Sequence, residues 1–136
     1  MKLGLIFPHQ LFEQHPVEDS SDRVILVAES LILGGDIEWP LIPHAKKLLL
    51  HKASMAAYAD KHKIEIIDDY HQLDLADITE LVTCRVVDYT LNNRLIDFCE
   101  TNRLTFTELE TPGFITPSEW GKKFFEGKKK PFMKTF

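Results

Sequence analysis

The polar residues best placed to do chemistry follow the first two predicted strands. His9 and Gln10 come directly after an apolar run at 3–7, and Glu29 comes directly after a second run at 24–28. Ligands of open α/β sheets bind beyond the carboxyl ends of the strands, at the point where the strand order reverses. We therefore expect these three side chains to meet there and contact a ligand. The alternative is that they are ordinary solvated loop residues.

A second polar set lies on the longest predicted helix. At about 100° per residue, five side chains fall within about 80° of one another: His44, Lys47, His51, Ser54 and Tyr58. We include His44 and Lys47 among the candidate ligand-binding residues. The same stripe also fits the solvated face of a half-buried helix, so both interpretations stay open. His44 and His51 have no carboxylate or thiol between them, which argues against a metal site.

The sequence offers no catalytic constellation. Cys84 and Cys99 do not form a CxxC pair and fit buried core thiols better than nucleophiles. Asp68 and Asp69 follow the third predicted strand and invite comparison with phospho-acceptor receiver domains. Those domains need an acidic pair after the first strand, and none is present there. No glycine-rich phosphate loop follows the first strand either, so we assign no catalytic residue and no metal ligand.

Short apolar runs separated by helical spacing predict the elements that position these residues. The strands are predicted at Leu3–Phe7, Val24–Ala28, Ile64–Ile67, Arg85–Val87 and Leu104–Leu109. The helices are predicted at Ile42–Lys61, Asp74–Val82 and Thr90–Thr101, with Thr90 as an N-cap. This alternation predicts a Rossmann-like α/β domain, with a doubly wound, five-stranded, mostly parallel sheet flanked by helices.

The face of the long helix that packs on the sheet is predicted from its apolar spacing. Apolar residues recur there at three- and four-residue intervals: Ala45, Leu48, Leu49, Met55, Ala56 and Ala59. Lys52 projects within this arc. We expect its stem to be buried and its amine to reach the edge of the interface.

Composition limits the classes of function. The chain of 136 residues fits one domain, and 44% hydrophobic residues are ample for one core. A net charge of −5 gives no reason to expect strong nucleic-acid binding by the domain alone. The apolar start is too short for a signal peptide, and no apolar run approaches a membrane span. These features predict a cytoplasmic protein without a membrane partner.

The last twenty residues differ from the rest of the chain. Residues 117–136 carry a net charge of +4, whereas residues 1–116 carry −9. Thr116 as N-cap, Pro117 and Glu119 predict the start of a helix. We divide the chain into an α/β domain at 1–116 and a C-terminal helix with a basic aromatic connector at 117–136. Exposed aromatic residues there predict self-association: Phe124, Phe125, Phe132 and Phe136.

Several short motifs follow one another along the whole chain. They are Gln10-Leu11, Glu29, His44-Ala45-Lys46-Lys47-Leu48, Met55, Phe114-Ile115-Thr116-Pro117-Ser118-Glu119 and Met133-Lys134-Thr135-Phe136. This ordered set resembles the N-terminal domain of the deoxyribodipyrimidine photolyase-related proteins. That family is the prokaryotic photolyase/cryptochrome branch that includes iron–sulfur photolyases.

The resemblance implies a Rossmann-like antenna domain. In full-length relatives it stands beside a helical domain that holds FAD and a four-iron cluster and repairs ultraviolet-damaged DNA by light-driven electron transfer. Some relatives bind a lumazine antenna chromophore through the loop after the first strand and the Glu after the second, which correspond to Gln10 and Glu29. The family usually has Gly-Asp before Gln-Leu. Pro8-His9 stands there in this chain, and proline supplies neither backbone freedom nor an N–H, which predicts weaker lumazine binding.

We therefore expect an accessory, antenna-type domain of a photolyase-like DNA-repair flavoprotein. Its expected partners are the helical domain, which this chain lacks, and damaged DNA through the full-length protein. The two cysteines are fewer than the four thiolates of an iron–sulfur cluster, which predicts no repair by this chain alone. The alternative is a free-standing small-molecule-binding or protein-interaction module. A small α/β enzyme is disfavoured because no catalytic constellation is visible.

Overall fold

The computed structural model describes residues 1–127 and shows a parallel sheet with helices on both faces. The strands are β1 (Lys2–Ile6), β2 (Arg23–Val27), β3 (Glu65–Ile67), β4 (Glu80–Cys84) and β5 (Thr105–Leu109). Each neighbouring pair is parallel, and the spatial order is β3-β2-β1-β4-β5. The predicted Rossmann-like α/β fold is confirmed, and the strand order reverses between β1 and β4.

Residues 1–127 also form five helices and one short turn of 3-10 helix. The helices are α1 (Pro16–Ser20), α2 (Ser30–Leu33), α3 (Ala45–His62), α4 (Tyr89–Asn102) and α5 (Ser118–Phe125), and the 3-10 turn is Tyr70–Gln72. None of the helices within residues 1–127 is long and apolar enough to cross a membrane.

Alternation along β1 divides the core into two clusters, because successive side chains of a strand point to opposite faces. Leu5 packs with Leu95 of α4 in one cluster. Ile6 packs with Met55 of α3 in the other. The long helices α3 and α4 therefore cover opposite faces of the sheet.

The fourth strand lies earlier in the chain than predicted. The predicted strand Arg85–Val87 is wrong, because β4 ends at Cys84. The predicted helix Asp74–Val82 is also wrong, because its last residues belong to β4 and residues 74–79 are turn and loop. Leu81 is fully buried and pairs with Leu3 in the sheet. The apolar spacing before it arises from a loop that packs on the core, not from a helix.

Two helix starts differ from the prediction by one or two residues. Asp88, not Thr90, is the N-cap of α4, and its Oδ1 accepts a hydrogen bond from the Leu91 N–H at 2.8 Å. At α5 the N-cap is Pro117, not Thr116. These caps illustrate why helix ends are the least certain part of a sequence-based assignment.

The helix α3 packs with a different face from the one predicted. Met55 and Ala59 are buried as expected, but Tyr58 is buried with them. Leu49 is 69% exposed, and Lys52 is also exposed, so its stem is not buried. The interpretation of the polar stripe as a solvated face is therefore wrong for Tyr58.

Hydrogen bonds explain why polar residues of α3 point inward. The Tyr58 hydroxyl donates to the Phe12 carbonyl at 2.9 Å and lies 3.1 Å from Glu18 Oε1. His62 Nδ1 lies 2.8 Å from the same oxygen of Glu18. A buried polar group needs such partners, and α1 supplies them through Glu18.

The C-terminal helix is present at the predicted place. Glu110 Oε1, after β5, accepts hydrogen bonds from the Ser118 N–H at 2.9 Å and its hydroxyl at 2.8 Å. Phe124 and Phe125 are half-buried. The remainder of the predicted connector, at 128–136 with Phe132 and Phe136, lies outside the described residues.

Candidate functional site

A crevice of about 860 Å³ opens beyond the carboxyl ends of β2 and β3. One wall is the loop after β2, with Glu29 and Asp36. The turn after β3 supplies Asp69 and Tyr70, and α4 supplies Arg94. This volume lies within the range of small-molecule sites in proteins, which is about 300–1,000 Å³. The crevice is therefore the candidate functional site.

Glu29 is the predicted site residue that lines this crevice. It is 5% exposed and caps α2, with Oε1 accepting a hydrogen bond from the Leu31 N–H at 3.1 Å. Burial, with a further contribution from Glu29, raises the pKa of the Tyr70 phenol well above its ordinary value. Tyr70 therefore remains protonated at neutral pH, next to a carboxylate held in a fixed position.

A charged pair closes one side of the crevice. Arg94 of α4 donates to both carboxylate oxygens of Asp36, and its Nη2 also lies 2.8 Å from Glu38 Oε2. The hydrogen bonds from Arg94 are the main cause that holds the pKa of Asp36 well below its usual range. The single guanidinium of the wall is thus engaged by two carboxylates of the protein.

The crevice is strongly acidic. Six carboxylates and one guanidinium line it, which gives a formal charge of −5 at neutral pH with histidine neutral: Glu29, Asp36, Glu38, Asp68, Asp69 and Asp97 against Arg94. Carboxylates accept hydrogen bonds from hydroxyl and N–H groups and repel anions. The site therefore suits a neutral or cationic ligand rich in donors.

Aromatic rings form part of the same wall. Tyr70 meets Phe98 of α4 edge-to-face, with ring centroids 5.1 Å apart and planes at 86°. His71 stacks on Tyr70 at 4.4 Å. Tyr70 and Phe98 are only 3% and 7% exposed, whereas His71 is exposed, so His71 is the ring of this group that a planar ligand can pack on.

Residues 4–136 match the family of the deoxyribodipyrimidine photo-lyase-related proteins. The chain belongs to this family. The match extends over the α/β fold and over the motifs that suggested the resemblance. No curated protein sequence matches the chain. This membership relates the chain to photolyases.

Gln10 lies at the switch point of this photolyase-related domain, buried and outside the crevice lining. It is 1% exposed, and its Nε2 donates to the carbonyls of Cys84 at 3.0 Å and Arg85 at 3.3 Å. These bonds hold the loop after β1 against the end of β4. A contact between Gln10 and a ligand stays a prediction.

His9 is half-buried beside Gln10 and stacks on Phe7, with ring centroids 6.4 Å apart. Burial lowers the pKa of its imidazole, and the nearby Asp88 opposes this effect. Both ring nitrogens are buried without a hydrogen-bond partner among residues 1–127. His9 does not line the crevice, so its role as a ligand contact also stays a prediction.

His44 and Lys47 lie away from the crevice wall. His44 caps α3, and its Nδ1 accepts a hydrogen bond from the Lys46 N–H at 3.1 Å. Lys47 is exposed on the first turn of α3. Because α3 covers the sheet face opposite α4, the structure does not bring these two residues together with Glu29 in the crevice.

Most residues that shape the crevice were missed by the sequence reasoning. Asp36 and Arg94 are 58 positions apart, and nothing local signals their pairing. Asp68 and Asp69 were considered only in the comparison with receiver domains, yet both line the crevice. The signal that identifies them is their position directly after β3, at the same edge of the sheet as Glu29.

The two thiols take no part in this site. Cys84 and Cys99 are free and buried, as predicted, and burial raises the pKa of each to about 11. Thiols of this kind are protonated at neutral pH and poor nucleophiles. Within residues 1–127, no group of three or more His, Cys, Asp or Glu side chains is arranged to hold a metal ion.

Proposed function

We propose that this chain is the antenna-type accessory domain of a photolyase-like flavoprotein, and that its crevice holds a lumazine-type chromophore. The observation that carries the proposal is the buried carboxylate of Glu29 in the crevice wall. It follows β2, where the family resemblance places a chromophore contact. The crevice opens at the carboxyl ends of β2 and β3, next to the switch point between β1 and β4 where open α/β sheets bind their ligands.

The chemistry of the wall fits a ribityl lumazine. Such a molecule is a flat two-ring heterocycle with a chain of hydroxyl groups and no charged group. Its hydroxyl donors match the carboxylates of Glu29, Asp69 and Asp97, and its ring matches the exposed ring of His71, which stacks on Tyr70. When bound, the chromophore would supply light absorption, while these residues would hold and orient it.

The charge of the crevice discriminates between related chromophores. A phosphorylated flavin carries about two negative charges at neutral pH and meets six carboxylates there, with Arg94 already paired. We therefore expect a ribityl lumazine or riboflavin to bind at least about tenfold more tightly than FMN. The comparison separates an uncharged antenna ligand from a phosphate-bearing cofactor.

We further propose that this chain alone repairs no DNA photoproduct. FAD, the iron–sulfur cluster and the contact with damaged DNA belong, in this proposal, to the helical domain of the full-length protein. The chain has two cysteines, and a four-iron cluster requires four thiolates. Turnover of cyclobutane or six-four photoproducts by this chain under illumination would contradict the proposal.

A fluorescence titration tests the chromophore site. The purified chain is titrated with a ribityl lumazine, riboflavin and FMN, and the quenching of ligand fluorescence gives each Kd. Glu29→Gln removes the charged acceptor, and we expect it to weaken lumazine binding about tenfold or more. Glu100→Gln, an exposed position on α4, is the matched control and should leave the Kd unchanged. Equal affinity of wild type and Glu29→Gln would reject the assignment.

A further inference from the structure

The outward side of α3 and the loop that leads into it place large apolar side chains in solvent. Trp39, Leu41 and Ile42 of the loop are 56%, 73% and 92% exposed, and Leu49 and Leu50 of α3 are 69% and 67% exposed. Exposed apolar residues are normally scattered singly over a protein surface. Here they occupy one short stretch of chain, which we call the outer surface of α3.

The helix α3 carries apolar residues on both sides. Its inner face is centred on the buried Met55 and Ala59. At about 100° per residue, Leu49, Ala53 and Ala57 lie on the opposite side, and all three are exposed. Lys46 lies on the same side, so this surface combines exposed apolar residues with a positive charge. The outer surface therefore lacks a cover among residues 1–127.

The charge of this surface is opposite to that of the chain. Residues 39–59 contain three lysines and no aspartate or glutamate; the nearest carboxylates along the chain are Glu38, which is paired with Arg94, and the exposed Asp60 of α3. The chain has a net charge of −5 and this stretch contributes +3, so all other residues together carry −8. Lys46 and Lys52 of this stretch are exposed. A partner surface that is complementary to it is therefore apolar and carries carboxylates.

We propose that the outer surface of α3 docks a helical surface of a separate protein, one that presents aliphatic side chains flanked by carboxylates. Ala53 and Ala57 permit the close approach of two helices, while Leu49 and Leu50 form the ridge that fills the facing groove. Lys47 and Lys52, which are exposed at the two edges of this surface, would then pair with carboxylates of the partner, as flanking charges do between paired helices. The proposal does not rest on the chromophore site.

Two other occupants fit the observations less well. A symmetric contact with a second copy would bring the same lysines face to face, because such an interface uses one patch twice. A membrane surface favours helices with bulky apolar residues on one side and lysines on the other. On α3, Lys46 lies within the apolar arc and the alanines offer little area to insert. A protein surface is therefore the better match.

Trp39 provides the reporter for a direct test. The chain has two tryptophans, so a Trp120→Phe variant leaves Trp39 as the only one. This variant is titrated with a synthetic amphipathic helical peptide, monomeric at the concentrations used, that carries leucines flanked by glutamates. A second peptide has lysines in place of the glutamates. We expect a saturable blue shift of Trp39 emission with the first peptide and at least about tenfold weaker binding of the second.

A pair of matched double variants locates the surface. In the Trp120→Phe background, Leu49→Glu/Leu50→Glu should weaken binding of the glutamate peptide about tenfold or more. The control variant Val87→Glu/Tyr89→Glu changes two side chains of similar exposure, 66% and 79%, near the start of α4. It should leave the binding of the glutamate peptide unchanged. All four positions are exposed, so both variants should fold, as checked by circular dichroism and urea unfolding.

Each contrary outcome overturns the proposal in a distinct way. Equal binding of the two peptides, or binding of neither, would exclude a carboxylate-bearing helix. Tighter binding of vesicles made of phosphatidylserine and phosphatidylcholine would assign the surface to a membrane. A dimer in analytical ultracentrifugation that Leu49→Glu/Leu50→Glu dissociates would assign it to a second copy.

Discussion

Arg94 of α4 holds Asp36 through two parallel hydrogen bonds, from Nη1 to Oδ2 at 2.6 Å and from Nη2 to Oδ1 at 2.9 Å. The Asp36 carboxylate also accepts hydrogen bonds from the Ser30 hydroxyl at 2.8 Å and from the backbone N–H groups of Glu38 and Trp39 at 3.0 and 3.1 Å. The pair therefore fixes the loop that both walls the crevice and leads to the outer surface of α3.

Replacing Arg94 with leucine should destabilise the fold by about 2 kcal/mol. Removal of one partner from a buried ion pair costs about 3–5 kcal/mol, and the 26% exposure of the Arg94 side chain reduces that cost. Urea unfolding at pH 7 measures the change. The double variant Arg94→Leu/Asp36→Asn should lose less than the sum of the single changes, because no buried charge remains unpaired; Glu38, the other partner of Arg94, is 67% exposed. If Arg94→Leu lowers the free energy of unfolding by less than about 0.5 kcal/mol, this role is contradicted.

The strands were predictable where burial makes an apolar run continuous. Leu5 and Leu26 are fully buried, and the runs around them correspond to β1 and β2. β4 ends in Thr83 and Cys84, which are also fully buried but give a weaker apolar signal. Thr83 is accommodated because its hydroxyl donates to the Leu5 carbonyl at 3.0 Å, a partner that only the folded sheet supplies.

The candidate site was predictable only in part. Glu29 was identified because a strand end in an α/β sheet is a known kind of site. The pairing of Asp36 with Arg94 depends on how the loop after β2 meets α4, which has no local pattern in the sequence. The face of α3 that packs on the sheet was predicted only in part: Met55 and Ala59 are buried, but Leu49 is not. Apolar residues extend around the helix, and the sequence does not say which of them the sheet covers.

Lowering the pH from about 6.5 to about 4 should destabilise the fold through His15. This residue is 2% exposed, and burial lowers the pKa of its imidazole to about 4. In that window the unfolded chain binds the proton and the folded chain does not, so stability falls as the pH falls. The expected loss is about 2–3 kcal/mol, measured by urea unfolding across this range.

His15→Asn is the control for the pH dependence. His15 Nδ1 accepts a hydrogen bond from the Val17 N–H at 3.3 Å, and asparagine retains an acceptor at this N-cap position without titrating. The slope of stability against pH should become smaller but not vanish, because burial also lowers the pKa of His9. An unchanged slope in His15→Asn would show that other groups cause it.

Adding a methyl group at Gly4 should cost about 2 kcal/mol. A Cβ atom there would lie 2.3 Å from Val17 Cγ1 and 2.7 Å from Ser21 Oγ. The close packing of α1 on β1 therefore depends on the absence of a side chain at position 4. Overpacking of a core typically costs about 1–3 kcal/mol. In thermal or urea unfolding, Gly4→Ala/Val17→Ala should lose less than the sum of the single variants. If the losses of the two single variants simply add, the contact between position 4 and Val17 is not the source of the strain.

We expect the side-chain amide of Gln10 to stabilise the loop after β1 through its hydrogen bonds at the switch point. Two substitutions distinguish this role from packing alone. Gln10→Leu removes the bonds to the Cys84 and Arg85 carbonyls and should cost about 2 kcal/mol at pH 7. Gln10→Glu should cost more at pH 7, because a carboxylate would face two carbonyl oxygens, and it should recover as the pH falls and the group protonates. Urea unfolding at pH 7 and pH 5 measures both. A folded Gln10→Leu variant that loses lumazine binding would instead assign the amide to the ligand.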